Sequence, residues 1–213
     1  AGTAVICWAA LVLEFTLFQI KAPEVGLTFL GTTAKFFGYM THLTDLGVAL
    51  VFTGHFARCG SLLARLSVDP GWSSAMLVYA LLVFGVYQFM LADTWDPQGA
   101  WKVGDVLLHY IIPIMYVFYW LMVIERGQLR WTQAINWQIF PIGYAAISVA
   151  IGRITGAYPY PFLVVEDLGW TAVLRNIIMV LMCYIILSLL VIALDKSLFD
   201  RAGRRTRMPV ARS

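Results

Sequence analysis

Six stretches of mostly apolar residues, at about 2–20, 36–57, 73–92, 104–124, 135–152 and 172–194, alternate along the chain with short polar connectors. Each is near the length an α-helix needs to cross about 30 Å of hydrocarbon at 1.5 Å per residue, so the pattern predicts six transmembrane helices. Helix breakers fill the connectors: Pro23 and Gly26, Asp69-Pro70-Gly71, Asp96-Pro97-Gln98-Gly99, Arg126-Gly127, and the segment from Gly156 to Pro161. The expected fold class is all-α: a polytopic integral membrane protein, with a bundle of six transmembrane helices over residues 1–196 and a basic cytoplasmic tail over 197–213. The first apolar run lacks a basic leader and a small-residue cleavage site, and reads as a retained span.

Composition strengthens this picture. Of 213 residues, 61% are hydrophobic and 13% charged, and the mean hydropathy is +0.78; soluble domains are about 45–50% apolar and about 25% charged. That excludes a soluble monomer and leaves no length for a separate globular domain. The net charge of +3 concentrates in Arg201, Arg204, Arg205, Arg207 and Arg212, which reads as an anchor on anionic lipid. The partners expected are therefore membrane lipids, and nucleic acid is not among them. Cys7, Cys59 and Cys183 are odd in number and lie in or beside apolar runs, as packing residues rather than a disulfide framework.

Charge also orients the chain. With both termini cytoplasmic, the inside receives Arg58, Arg65, Arg126, Arg130, Lys196 and the five tail arginines, ten against the five outside: Lys21, Lys35, Lys102, Arg153 and Arg175. Trp95, Trp101, Trp131 and Trp170 fall near predicted span ends, where interfacial aromatics belong.

Ionisable side chains inside spans are costly and call for a functional hypothesis. Under this topology Thr41, His42, Thr44, Asp45, Asp105, His109, Arg175 and Asn176 fall within a few helical turns of the outer surface. Thr41, Thr44 and Asp45 share a face at i, i+3, i+4, and His42 reaches toward Asp45. Asp105 and His109 stand at i, i+4, so the carboxylate can hold one ring nitrogen and leave the other as a base. Pro113 removes the N–H that would bond the His109 carbonyl, which predicts an irregular, polar backbone there.

A hydroxyl, an imidazole and an orienting carboxylate are what nucleophilic acyl transfer needs, and Thr41, His109 and Asp105 can fill those roles. Thr44 is the alternative hydroxyl, and His42, Asp45, Glu14, Arg175 and Asn176 are candidate site-lining groups. Each also has a plainer reading: threonine bonding its own i−4 carbonyl, paired polar residues holding helices together, and an interfacial arginine reaching for water. His55, beside Arg58 at the inner end of its span, reads as interfacial.

The segment Gly152-Arg153-Ile154-Thr155-Gly156-Ala157-Tyr158-Pro159-Tyr160-Pro161-Phe162-Leu163 resembles the androgen-induced family of membrane hydrolases. It is more similar still to that family's bacterial six-span relatives, the "Pr-six-Pr" membrane proteins. The segments Phe37-Gly38-Tyr39-Met40-Thr41-His42-Leu43-Thr44-Asp45-Leu46 and Asp105-Val106-Leu107-Leu108-His109-Tyr110-Ile111-Ile112-Pro113 extend the resemblance across nearly the whole chain. It implies a threonine hydrolase of lipid esters, such as fatty acid esters of hydroxy fatty acids, with Thr41 as nucleophile and His109 as base. It also implies the bacterial cytoplasmic (inner) membrane as location. Asp105 as orienter comes from helix geometry alone. No cofactor and no metal ligand set is expected for this reading. Two alternatives remain open: a metal- or haem-binding membrane protein, with His42, His109, Asp45 and Asp105 as mixed N/O ligands or two histidines on facing helices holding a haem, and a non-catalytic lipid-binding or accessory subunit of a larger membrane complex.

Overall fold

The computed structural model describes residues 2–56, 61–94 and 96–206, with side chains described as far as residue 199. Arg58, Cys59, Trp95, Arg207 and Arg212, and the side chains of Arg201, Arg204 and Arg205, lie outside the described residues. Every long element is helical, and the breakers read from the sequence stop or start most of them. Helix α1 (Gly2–Lys21) passes into a 3-10 turn at Ala22–Val25 that holds Pro23 and ends at left-handed Gly26. Helix α2 (Phe29–Gly38) starts where the Thr28 hydroxyl accepts the Gly31 N–H at 3.1 Å. After α3 (Met40–Phe56) and the short α4 (Leu62–Val68), helix α5 (Pro70–Val86) opens with proline at its first position and the Asp69 carboxylate on the Trp72 N–H at 2.6 Å. Helices α6 (Ala100–Val106) and α7 (Ile112–Val123) are joined by a π-turn, and α8 (Gln133–Asn136) leads into α9 (Ile139–Thr155), which ends at left-handed Gly156. Helix α10 (Val165–Thr206) bends at Gly169 and then runs without a break through the 196/197 boundary where a tail was expected.

Among the described residues, five helical segments are long and apolar enough to cross a membrane: Gly2–Val25, Pro70–Thr94, Ala100–Val123, Gln133–Thr155 and Val165–Phe199. Their outward faces expose Val12, Phe89, Met122, Ile154 and Leu190 among many other large apolar side chains. An apolar surface this extensive would associate in water, and it suggests a membrane protein.

The second apolar run departs from expectation. It is divided at Tyr39, which is extended (φ −86°, ψ 132°) between α2 and α3. Helix α3 is therefore only 17 residues long, and Thr41 is its second residue rather than about five residues inside a span. The break is held by Tyr144, Tyr160 and His42, whose side chains bond the Gly38 carbonyl, the Met40 N–H and the Phe36 carbonyl. Helix α3 packs against α1, α2, α4 and α5, so its polar residues face protein, while Val48, Ala49, Val51 and Phe52 join the core. The rest of that core comes from Cys7, Ala10 and Leu11 of α1, the stretch 75–83 of α5, Ile112, Tyr116 and Trp120 of α7, and Tyr184 and Ile192 of α10.

Candidate active site

Two π-turns carry the site. Pro113 lacks an N–H, and the backbone answers with a π-turn at Leu107–Ile111, in which the Ile112 N–H reaches the Leu107 carbonyl five residues back. This is the physical form of the irregularity expected near His109. A second π-turn at Tyr87–Leu91 continues α5, closed by the Ala92 N–H on the Tyr87 carbonyl. The two wide turns face each other, and the rings of Tyr87 and His109 stack with centroids 3.8 Å apart and 12° between planes.

His109 is held at one nitrogen. Its Nδ1 lies 3.0 Å from the Asp105 main-chain carbonyl and 3.1 Å from Asp105 Oδ1. Two acceptors at Nδ1 keep the proton there, which leaves Nε2 with a lone pair. The other carboxylate oxygen, Asp105 Oδ2, accepts the Tyr87 hydroxyl at 2.5 Å. Asp105 is thus fixed from both sides, by a phenol and by the imidazole it orients. Glu14 of α1 crosses α6 next to this carboxylate, over Gly104, where a Cβ would collide with the Glu14 side chain.

At the start of α3 a second polar group assembles. The helix break at Tyr39 leaves backbone groups that regular helix would have paired, and side chains take them up. The Tyr144 hydroxyl donates to the Gly38 carbonyl at 2.7 Å, and His42 Nδ1–H donates to the Phe36 carbonyl at 2.6 Å while its ring stacks on Phe36 at 3.8 Å. The Met40 N–H donates to the Tyr160 hydroxyl at 3.1 Å, and the same hydroxyl lies against the side chain and backbone of Thr41.

Two cavities meet at these groups. One, of about 550 Å³, reaches from Glu14, Asp105 and His42 to Lys21, Lys35 and Trp101. The other, about 70 Å³, is an apolar cleft between α5, α9 and α10. Both are lined by Thr41, Tyr87, Leu91, His109 and Tyr160.

The candidates read from the sequence separate accordingly. Thr41, His42, His109, Asp105 and Glu14 line the larger cavity. Thr44 and Asp45 line neither cavity; they are buried, and the Thr44 hydroxyl and both Asp45 oxygens have no hydrogen-bond partner among the described residues. His42 turns to the Phe36 carbonyl instead of Asp45. Asn176 ties down the loop before α10 by donating to the Phe162 carbonyl at 3.0 Å, and Arg175 is exposed and lines neither cavity. His55 packs edge-on against Tyr119, away from these groups.

Tyr87 and Tyr144 were not legible as site residues, because a tyrosine in an apolar run looks like packing. Tyr160 lay within the Tyr-Pro-Tyr-Pro-Phe run, and that motif was its one signal. Among the described residues no group of three or more His, Cys, Asp or Glu is placed to hold a metal ion. No protein-family model, curated protein or solved structure matches this chain.

Proposed function

We propose that this chain is a multi-pass membrane hydrolase of lipid esters in which Thr41 is the nucleophile, His109 the base and Asp105 the group that orients the base. The observation that carries the reading is the junction of the two cavities. There a threonine at a helix start and an imidazole with its Nδ1 proton fixed line the same space. His109 Nε2 takes the Thr41 hydroxyl proton as Oγ1 adds to the ester carbonyl. The imidazolium returns that proton to the departing alcohol, and water, deprotonated in turn by His109, releases the acid from Thr41. Charge developing on the carbonyl oxygen is favoured by the positive end of α3 and by the Tyr160 hydroxyl, which accepts the Met40 N–H and keeps its own proton to donate.

The resemblance to the androgen-induced family and its bacterial "Pr-six-Pr" relatives supports the same assignment, with fatty acid esters of hydroxy fatty acids as the substrate type. In this reading α3, enclosed by its neighbours, is the sixth crossing. Both termini face the cytoplasm, and the membrane is the bacterial inner one. The exposure of Arg175 and its place off the cavities remove it from the proposed mechanism, and Thr44 is set behind Thr41.

Labelling with a fluorophosphonate probe, followed by mapping of the modified residue, tests the assignment. The expected result is modification at Thr41, its loss in a folded Thr41→Ala protein, measurable turnover in Thr41→Ser, and retained labelling in Thr44→Ala. Full ester hydrolysis by Thr41→Ala, or labelling that maps to Thr44, would overturn it.

A further inference from the structure

The larger cavity has a charge pattern that hydrolysis itself does not use. Its lining includes the buried carboxyl groups of Glu14 and Asp105 and the exposed side chains of Lys21 and Lys35. Both lysines are exposed, so the cavity reaches the surface there. Neither forms an ion pair among the described residues. Lys21 is the last residue of α1 and lies 5.9 Å from the centre of the Trp101 ring, on the facing helix α6. Lys35 is in the last turn of α2, four residues before the extended Tyr39 that also lines the cavity.

Lys21 is seven positions after Glu14 on α1, so it stands about 10 Å along the helix from Glu14 and the polar layer that Glu14 joins. Beyond that layer, the apolar cleft lined by Val83, Val86, Pro141, Ala145, Ile177 and Leu181 continues from the same junction. A molecule occupying the whole space meets cations first, then the polar layer, then hydrocarbon.

We propose that Lys21 and Lys35 are the residues that select the substrate, holding its anionic end group at the cavity rim while its acyl chain lies in the cleft between α5, α9 and α10. This rests on the hydrolase reading for the position of the ester at Thr41 and His109. The shared chemistry of the end group is an anionic oxygen cluster, from either a carboxylate or a phosphate monoester. A pair of unneutralised cations selects such a group over its neutral counterpart, through an attraction that salt weakens. The lysines are specificity-determining residues and take no part in bond making.

Equilibrium binding to the Thr41→Ala protein in detergent micelles tests this without requiring turnover. Three fluorescent long-chain esters serve as probes, ending in a free carboxylate, a phosphate monoester or a methyl ester cap. At least one charged probe is expected to bind at least tenfold more tightly than the capped one, and the charged probe that does so identifies the end group. Lys21→Gln with Lys35→Gln should abolish that preference and leave the capped probe unchanged. Lys102→Gln, on an exposed lysine of α6 that does not line the cavity, should leave the preference intact. Equal affinity for capped and charged probes in the parent, or an equal loss in Lys102→Gln, would overturn the proposal. Selective binding with no hydrolysis of any probe by the native protein would uphold the anion site and count against the hydrolase reading alone.

Discussion

The bond between Tyr87 and Asp105 gives the sharpest test of how the imidazole is held. Tyr87→Phe removes one oxygen and leaves the ring, so the 3.8 Å stack on His109 survives and only the 2.5 Å bond to Asp105 Oδ2 is lost. Tyr87 and Asp105 are 6% and 8% exposed, so a water replacing the phenol would have to be held within the cavity they line. A hydrogen bond to a charged group contributes roughly 1.5–3 kcal/mol, and a buried acceptor left unmade costs about 1–3 kcal/mol. Tyr87→Phe should therefore destabilise the protein by about 1.5–3 kcal/mol. Asp105→Asn removes the charge from the same bond, so the two changes should not add. A double-mutant cycle over parent, both single variants and the pair, measured by reversible unfolding in mixed micelles, should give a coupling of more than about 1 kcal/mol; independent sites add within about 0.3–0.5 kcal/mol. Additivity within that margin would refute the claim that Tyr87 braces the carboxylate. In turnover, Asp105→Asn should lower kcat by more than its loss of stability accounts for, because control of the His109 tautomer goes with it.

Two further outcomes follow from glycines that make room for neighbours. Gly104→Ala places a Cβ against three atoms of Glu14 and should cost about 1–3 kcal/mol of stability in the same unfolding assay; adding Glu14→Ala should relieve most of that cost, and a persistent penalty would contradict the packing of Glu14 on α6. Gly127 has φ of +77° and the Phe199 ring where a Cβ would go, while its N–H donates to Asp195 Oδ2 at 3.0 Å. Gly127→Ala should destabilise by about 2 kcal/mol or more, from the left-handed backbone and the clash together, and Phe199→Ala should recover only part of it. A thermal midpoint equal to that of the parent would refute this.

The helical class and several element boundaries were legible in the chain itself, because they depend on local chemistry. Asp69-Pro70 caps and starts α5, Gly156 ends α9, and the apolar runs are long enough to be helices wherever they pack. The pairing of Asp105 with His109 was legible for the same reason, since i, i+4 spacing within one helix fixes their approach. The break at Tyr39 was not. An apolar run reads as continuous helix, and this one is interrupted where Tyr144, Tyr160 and His42, two of them more than a hundred residues distant, satisfy the backbone groups that the interruption frees.

The choice between Thr41 and Thr44 had the same character. Helix geometry puts them on one face, but only packing decides that Thr41 opens onto both cavities while Thr44 and Asp45 are enclosed. Spacing in a sequence specifies neighbours within a helix, whereas a cavity is bounded by helices that meet only after folding. For that reason Tyr87, which donates to Asp105 from another helix, left no mark in the linear pattern, and the exposure of Arg175, off both cavities, could be read only from the folded chain.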